Sequence, residues 1–248
     1  MPPVLVLIHG FLENATMWRP LLPATEQYPV RFMPDLPGHG SNSNEFPPSL
    51  QKVSTQLWEE MLQQFPDNEF ILIGHSMGGY IAAEIALSHP QKIKGLCFFH
   101  STAQGDSVEK KANRQRAMDA LAANKELYTG TMIRSLFANL DTPEMNDLVG
   151  ELIHAAGKIR QSDIHHCLVA MRDRMDYQTK IKEAGFPVAY LLGDSDSRLP
   201  LSEMLPEING LPHIKAKVLP NCGHMSQWEK PEEARVFLHE WLSGLLKN

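Results

Sequence analysis

The chain has little that would tie it to a membrane, a nucleic acid or an oxidising compartment. Its cysteines number only three, Cys97, Cys167 and Cys222. So odd and sparse a set is no disulfide framework, and Cys97 lies inside an apolar run where a small thiol packs as a hydrophobe. There is no basic stripe: the formal net charge is −6 and the acidic excess is spread along the chain. Phosphate backbones and anionic lipid surfaces are therefore not expected partners. No apolar run approaches the roughly 18 residues that a membrane span requires. The first run, Val4 to Ile8, follows no basic segment and leads straight into His9-Gly10, which reads as a strand and not a leader. The expectation is a soluble cytoplasmic protein. Internal repeats, low-complexity tracts and linkers are also missing. What remains is 248 residues, 43% of them hydrophobic, enough for one large α/β domain.

Short apolar runs alternate with helical spacing through the first hundred residues. Val4 to Ile8, Pro29 to Met33, Phe70 to Ile73 and Gly95 to Phe99 read as strands. Between them, a helical segment starts near Trp18 with Asn14 or Thr16 as N-cap, and helices are expected over Ser54 to Gln64 and Gly79 to Ser88. Right-handed crossovers then require a parallel sheet with helices on both faces and a cleft at the carboxyl ends of its strands. From Asp106 to about Lys182 the period changes. Glu109 to Glu126, Thr131 to Ala138, Pro143 to Ile159 and Asp163 to Arg174 all read as helices, with no strand among them. Residues 106–182 are thus expected as a helical lid inserted in a core of 1–105 and 183–248. Met118, Met132, Met145 and Met171 either line its inner wall or pack its own core. Strand pattern resumes at Pro187 to Leu192 and Ile214 to Leu219, and a last helix runs from Pro231 to Leu246.

The chemistry gathers at Gly74-His75-Ser76-Met77-Gly78, which sits between a buried strand and a helix. That context makes it a nucleophile elbow: the glycines avoid collisions in a sharp turn, and Ser76 is pushed into the cleft. The Met77 amide, at a helix N-terminus, can donate to a developing oxyanion. A serine needs a base, and the base needs a carboxylate. Both follow in the order Ser, Asp, His, in loops at the ends of later strands: Gly193-Asp194-Ser195-Asp196 and Asn221-Cys222-Gly223-His224. Either aspartate can serve on this ground alone. His9, His75 and His39 stand beside glycine turns and read as structural hydrogen bonders. His165 and His166 splay apart on a helix with no ligand spacing, so no metal and no cofactor is expected.

Taken together, His9-Gly10-Phe11, Asp35 to Gly40, Gly74 to Gly79, Gly193 to Pro200 and Gly223-His224 with Glu229 and Pro231 resemble the α/β-hydrolase superfamily, in particular its small lidded carboxylesterases. The resemblance implies a mostly parallel sheet of about six strands flanked by helices, with a helical lid. It also implies that the second oxyanion amide belongs to Phe11 and that the acid is Asp196, three residues after Gly193. Related hydrolases usually carry one or two antiparallel strands before the His-Gly strand, for which there is no room here. Aspartate-elbow relatives are argued against by Ser76. Candidate substrate contacts are His100 and Ser101 at a strand end, and Tyr80, which stands where an anion-binding lyase of this fold usually has arginine. The implied activity is hydrolysis of a small ester by a Ser76, His224, Asp196 mechanism. The alternatives are a lyase or acyltransferase acting on an anionic metabolite, and a ligand-binding receptor. With Arg114 and Arg116 as the only candidate anion contacts, short neutral esters are expected to be preferred over dicarboxylates. Substrate identity and oligomeric state are not legible.

Overall fold

Strands covered on both faces have no polar side to alternate with, so their residues stay apolar throughout. A computed structural model of the chain describes residues 1–209 and 213–246. In it β1 (Val4–Ile8), β3 (Phe70–His75) and β5 (Val188–Gly193) are buried at every position. With β2 (Arg31–Phe32), β4 (Ile93–Phe99) and β6 (Ile214–Leu219) they form one sheet in the order β2-β1-β3-β4-β5-β6. Every pairing is parallel. The strand expected over Pro29 to Met33 shrinks to two residues. It is an edge strand, Pro29 has no N–H to give, and its neighbour Val30 contributes only a carbonyl, which accepts from Leu5 N–H at 3.1 Å.

The helices are α1 (Leu50–Gln64), α2 (Met77–Ser88), α3 (Val108–Ala123), α4 (Lys125–Arg134), α5 (Pro143–Gly157), α6 (Gln161–Arg172), α7 (Gln178–Lys182), α8 (Leu201–Ile208), α9 (Ser226–Glu229) and α10 (Pro231–Leu245). The segment after Asn14 is a 3₁₀ helix, Ala15–Thr25, because Pro20 and Pro23 withhold the amides an α-helix needs; Asn14 caps it. The single helix expected over Glu109 to Glu126 is two. Asn124 interrupts it by turning its Oδ1 onto Leu127 N–H (2.9 Å), which caps the start of α4. Neither α7 nor α8 was expected: α7 is barely more than a turn, and α8 carries Pro206 inside.

Alternation along the strands separates two cores. One face, including Val6, Ile8, Leu72, Phe98 and Tyr190, packs under α1, α2 and the helices that follow β4. The other, including Leu7, Ile73, Phe99 and Leu191, packs on Trp18, Phe237 and Trp241. Burying each such side chain is worth about 1.5–3 kcal/mol, so the sheet is a stiff platform for what its ends carry. All three cysteines are buried and free. Among the described residues no helix is long and apolar enough to cross a membrane.

Candidate active site

The carboxyl ends of β3, β4, β5 and β6 lie along one edge of the sheet, and the turns there are strained. Among the described residues the non-glycine positions with positive φ are Leu12, Ser76, His100 and Asn221, each on a loop leaving this edge. Backbone of that kind costs on the order of 1–3 kcal/mol per residue and persists only where the surroundings enforce it. Ser76 stands between β3 and α2 at φ 49°, ψ −116°. Its N–H donates to the Phe99 carbonyl (3.1 Å). Its own carbonyl accepts from Gly79 N–H (2.9 Å) and from the Ser101 hydroxyl (2.7 Å). Gly78 has to be glycine, since a Cβ there would run into the Ile8 and His9 carbonyls of β1 and its loop.

Asp196 is buried, and both its oxygens are in use. Oδ1 accepts the backbone N–H groups of Arg198 (2.8 Å) and Leu199 (3.2 Å). Oδ2 accepts from His224 Nδ1 at 2.6 Å and from His100 Nδ1 at 3.3 Å. Burial alone would raise the Asp196 carboxyl, but the two imidazoles outweigh it and hold the group well below the usual carboxylate range. Burial also pushes His100 down to about 4 despite Asp196. The neutral His100 ring therefore donates from Nδ1 and accepts at Nε2 from the Ser226 hydroxyl (2.8 Å). His100, Asp196 and His224 offer atoms within 4.8 Å of one another, a spacing that could suit a metal ion. With a proton on each Nδ1, however, neither imidazole has a lone pair to turn toward Asp196 and a shared cation. By the same accounting, His224 keeps Nε2 free as a base. Asp194, the other aspartate of the loop, is exposed and its carboxylate accepts only from its neighbour Ser195 (2.8 Å).

The His224 loop is pinned by Glu229, which accepts from Gly223 N–H (3.0 Å) and, through its other oxygen, from Ala138 N–H (2.7 Å). His224 N–H itself donates to the Leu136 carbonyl at 2.7 Å. A second buried pair braces the same loop. His75 Nε2 donates to the His224 carbonyl (2.9 Å) and His75 Nδ1 to Glu13 Oε2 (2.7 Å), which also accepts from Gly10 N–H (2.6 Å). Burial opposes charge on both groups. Their mutual attraction outweighs it, raising the pKa of His75 and lowering that of Glu13. An imidazolium–carboxylate pair thus links the base loop to the His9-Gly10-Phe11 turn. Glu13 escaped the sequence reading, since one acid in a polar loop carries no periodic signal. Glu13→Gln is expected to cost about 3 kcal/mol in urea unfolding, because breaking one side of a buried pair strands the other. Adding His75→Asn should cost less than the two single changes combined; strictly additive costs would mean that the pair is not coupled.

A cavity of about 870 Å³ opens at this edge, lined on the sheet side by Phe11, Glu13, His75, Ser76, Tyr80 and His224. Its opposite wall comes from α3, α4 and α6 and from Ser197 to Pro200. Phe11 and Ser76 line the same cavity, and Met77 N–H is the first amide of α2, where helical geometry provides no partner. Of the expected substrate contacts, Tyr80 lines the cavity, with the Arg174 guanidinium 4.1 Å above its ring. His100 and Ser101 do not: both are fully buried behind the wall, bound to Asp196 and Ser226 and to Ser76 O. Met132 and Met171 line the cavity, whereas Met118 and Met145 pack elsewhere. Arg114 lines it; Arg116 does not, and its guanidinium donates to Asn113, which does.

A family model described as "alpha/beta hydrolase fold" matches residues 3–231. A 2-succinyl-6-hydroxy-2,4-cyclohexadiene-1-carboxylate synthase from an Enterobacter species is 25% identical over 252 residues, covering 99% of this chain and 94% of the relative. A pimeloyl-[acyl-carrier protein] methyl ester esterase from Yersinia enterocolitica is 24% identical, covering 92% and 88% respectively. Among solved structures, a thermophilic esterase from Thermogutta terrifontis superposes with a TM-score of 0.87 at 23% identity, over 98% of this chain and 90% of the other.

Proposed function

Since the chain belongs to the α/β-hydrolase family, we propose that it hydrolyses an ester of a small molecule through an acyl-enzyme on Ser76. The observation that carries this reading is that Ser76, on its strained turn, lines the same cavity as His224, whose Nδ1 is committed to the buried Asp196. Ser76 Oγ attacks the ester carbonyl as His224 Nε2 takes its proton, and Asp196 stabilises the imidazolium. The Phe11 and Met77 amides donate to the tetrahedral oxyanion. Collapse expels the alcohol, which receives the proton from His224. Water then repeats the cycle on the acyl group, with His224 again as base, and releases the carboxylic acid.

In the same proposal residues 106–182 form a lid over a core of 1–105 and 183–248, of which 210–212 and 247–248 lie outside the described residues. A lid excludes water from the oxyanion and sets which acyl groups enter. His100 and Ser101 act in this scheme by holding Asp196 and the Ser76 carbonyl, not by touching substrate. Three buried free thiols suit a reducing cytoplasm, where we place the protein.

Fluorophosphonate labelling followed by a panel of aryl esters of rising chain length tests the reading. Stoichiometric labelling at Ser76 with ester turnover is the expected result. Labelling without turnover of any ester would favour a lyase or acyltransferase, and absence of labelling a receptor.

A further inference from the structure

Resting on that ester-hydrolase reading, we infer that Arg198 and Arg114 form a carboxylate-binding subsite in the cavity, so that the substrate is an ester bearing a second, ionised carboxylate. The inference comes from which charges at the cavity wall are already matched. Arg174 Nη1 lies 2.5 Å from Asp106 Oδ1, and Arg174 also donates to the Gln104 and Met171 carbonyls, so its charge is matched and held in place. Lys110 pairs with Glu203 at 2.6 Å, and His75 with Glu13 at 2.7 Å. That leaves Arg114 and Arg198 among the lining cations, against a single further lining acid, the exposed Glu109. Arg114 reaches only the far oxygen of Asp106 (3.1 Å), a carboxylate that Arg174 already holds. Arg198 makes no ion pair within 4.0 Å among the described residues, although the Asp196 charge attracts it from further off; its guanidinium donates to the neutral Ser135 hydroxyl.

These two cations are also close enough to repel. Partial desolvation, and after it the Arg114 charge, pushes the Arg198 pKa down, although Arg198 is still exposed to solvent. Two like charges side by side at a cavity mouth favour an anion that can lie between them. Tyr128 lines the same cavity as both: burial pushes its pKa up to about 12 against the pull of the two arginines, so it remains a phenol able to donate. Two guanidinium forks and a phenol suit a planar carboxylate, which accepts bidentate hydrogen bonds from arginine. The subsite is anchored to the catalytic apparatus, because Arg198 N–H is bound to Asp196. It also reverses the expectation of neutral substrates. From the sequence only Arg114 and Arg116 were visible as candidates, and of those Arg116 does not line the cavity, whereas Arg198, on a distant loop, does.

The test compares kcat/KM for p-nitrophenyl pentanoate and mono-p-nitrophenyl glutarate, a matched pair differing by the terminal carboxylate. Wild type should prefer the glutarate ester by about 10-fold or more, as a charge-assisted pair is worth roughly 1.5–3 kcal/mol. In Arg198→Gln the glutarate ester should fall at least ~10-fold further than the pentanoate ester, with Arg198→Lys in between and added salt eroding the wild-type preference. Calorimetric binding of glutarate to Ser76→Ala protein reads the subsite without turnover, and Ser76→Ala/Arg198→Gln should bind at least ~10-fold more weakly. Equal kcat/KM for the two esters, or glutarate binding unchanged by Arg198→Gln, overturns the subsite while leaving the hydrolase reading intact. Loss of fluorophosphonate labelling with retained Arg198-dependent glutarate binding would do the reverse.

Discussion

Ser76→Ala is expected to reduce ester kcat by about 10⁴- to 10⁶-fold while the protein stays folded, the loss seen when a serine nucleophile that works as a unit with its base is removed. Alanine keeps the Cβ, so the strain at φ 49° is unchanged and the hydrogen bonds that fix the turn, all through backbone or Ser101, survive. Thermal unfolding should therefore move little. Ser76→Gly makes the structural half of the claim separately measurable. Glycine adopts this backbone without penalty, so it should be as inactive as alanine yet more stable by about 1 kcal/mol, read as a higher Tm. Substantial esterase activity in either variant would end the acyl-enzyme reading.

The second large effect concerns the acid. Asp196→Asn should lower kcat by about 10⁴-fold, because an amide places an NH₂ or a single oxygen where four donors now converge. Two of those donors are backbone amides and two are the imidazoles of His100 and His224. If the amide nitrogen faces His224, the ring must carry its proton on Nε2 and can no longer accept one from Ser76. Asp194→Asn should change kcat less than ~3-fold, since its exposed carboxylate touches only Ser195. Comparable losses in the two variants would shift the orienting role away from Asp196. Asp196 also stays ionised well into the acid range, so loss of kcat/KM on acidification should report protonation of a histidine and survive as a single limb in wild type.

Much of this was open to reading along the chain. The six parallel strands follow from apolar runs of strand length separated by helical spacing, and β6 begins and ends where the pattern does, at Ile214 and Leu219. The Ser76 turn was readable because glycines at 74 and 78 serve a local steric need: Gly78 must pass against the Ile8 and His9 carbonyls. Where reading failed, the competing force was also local but chemically subtle. Asn124 split one expected helix by capping the next, and Pro20 and Pro23 turned an α-helix into a 3₁₀ helix.

By itself, then, the sequence determined a parallel sheet with right-handed crossovers and the loops that reach one edge, because periodicity and turn sterics act over a few residues at a time. Only the tertiary structure decided which side chains meet there. Glu13 and His75 are 62 positions apart and His75 and His224 149 apart, yet they join in one buried chain of hydrogen bonds. His100 sits behind Asp196 instead of in the cavity, and Arg198 lines the cavity while Arg116 does not. Each of those outcomes depends on how loops and helices far apart in the chain meet around one cavity. The direction of a side chain across such an interface is set by packing between elements, for which no single stretch of sequence carries a signal.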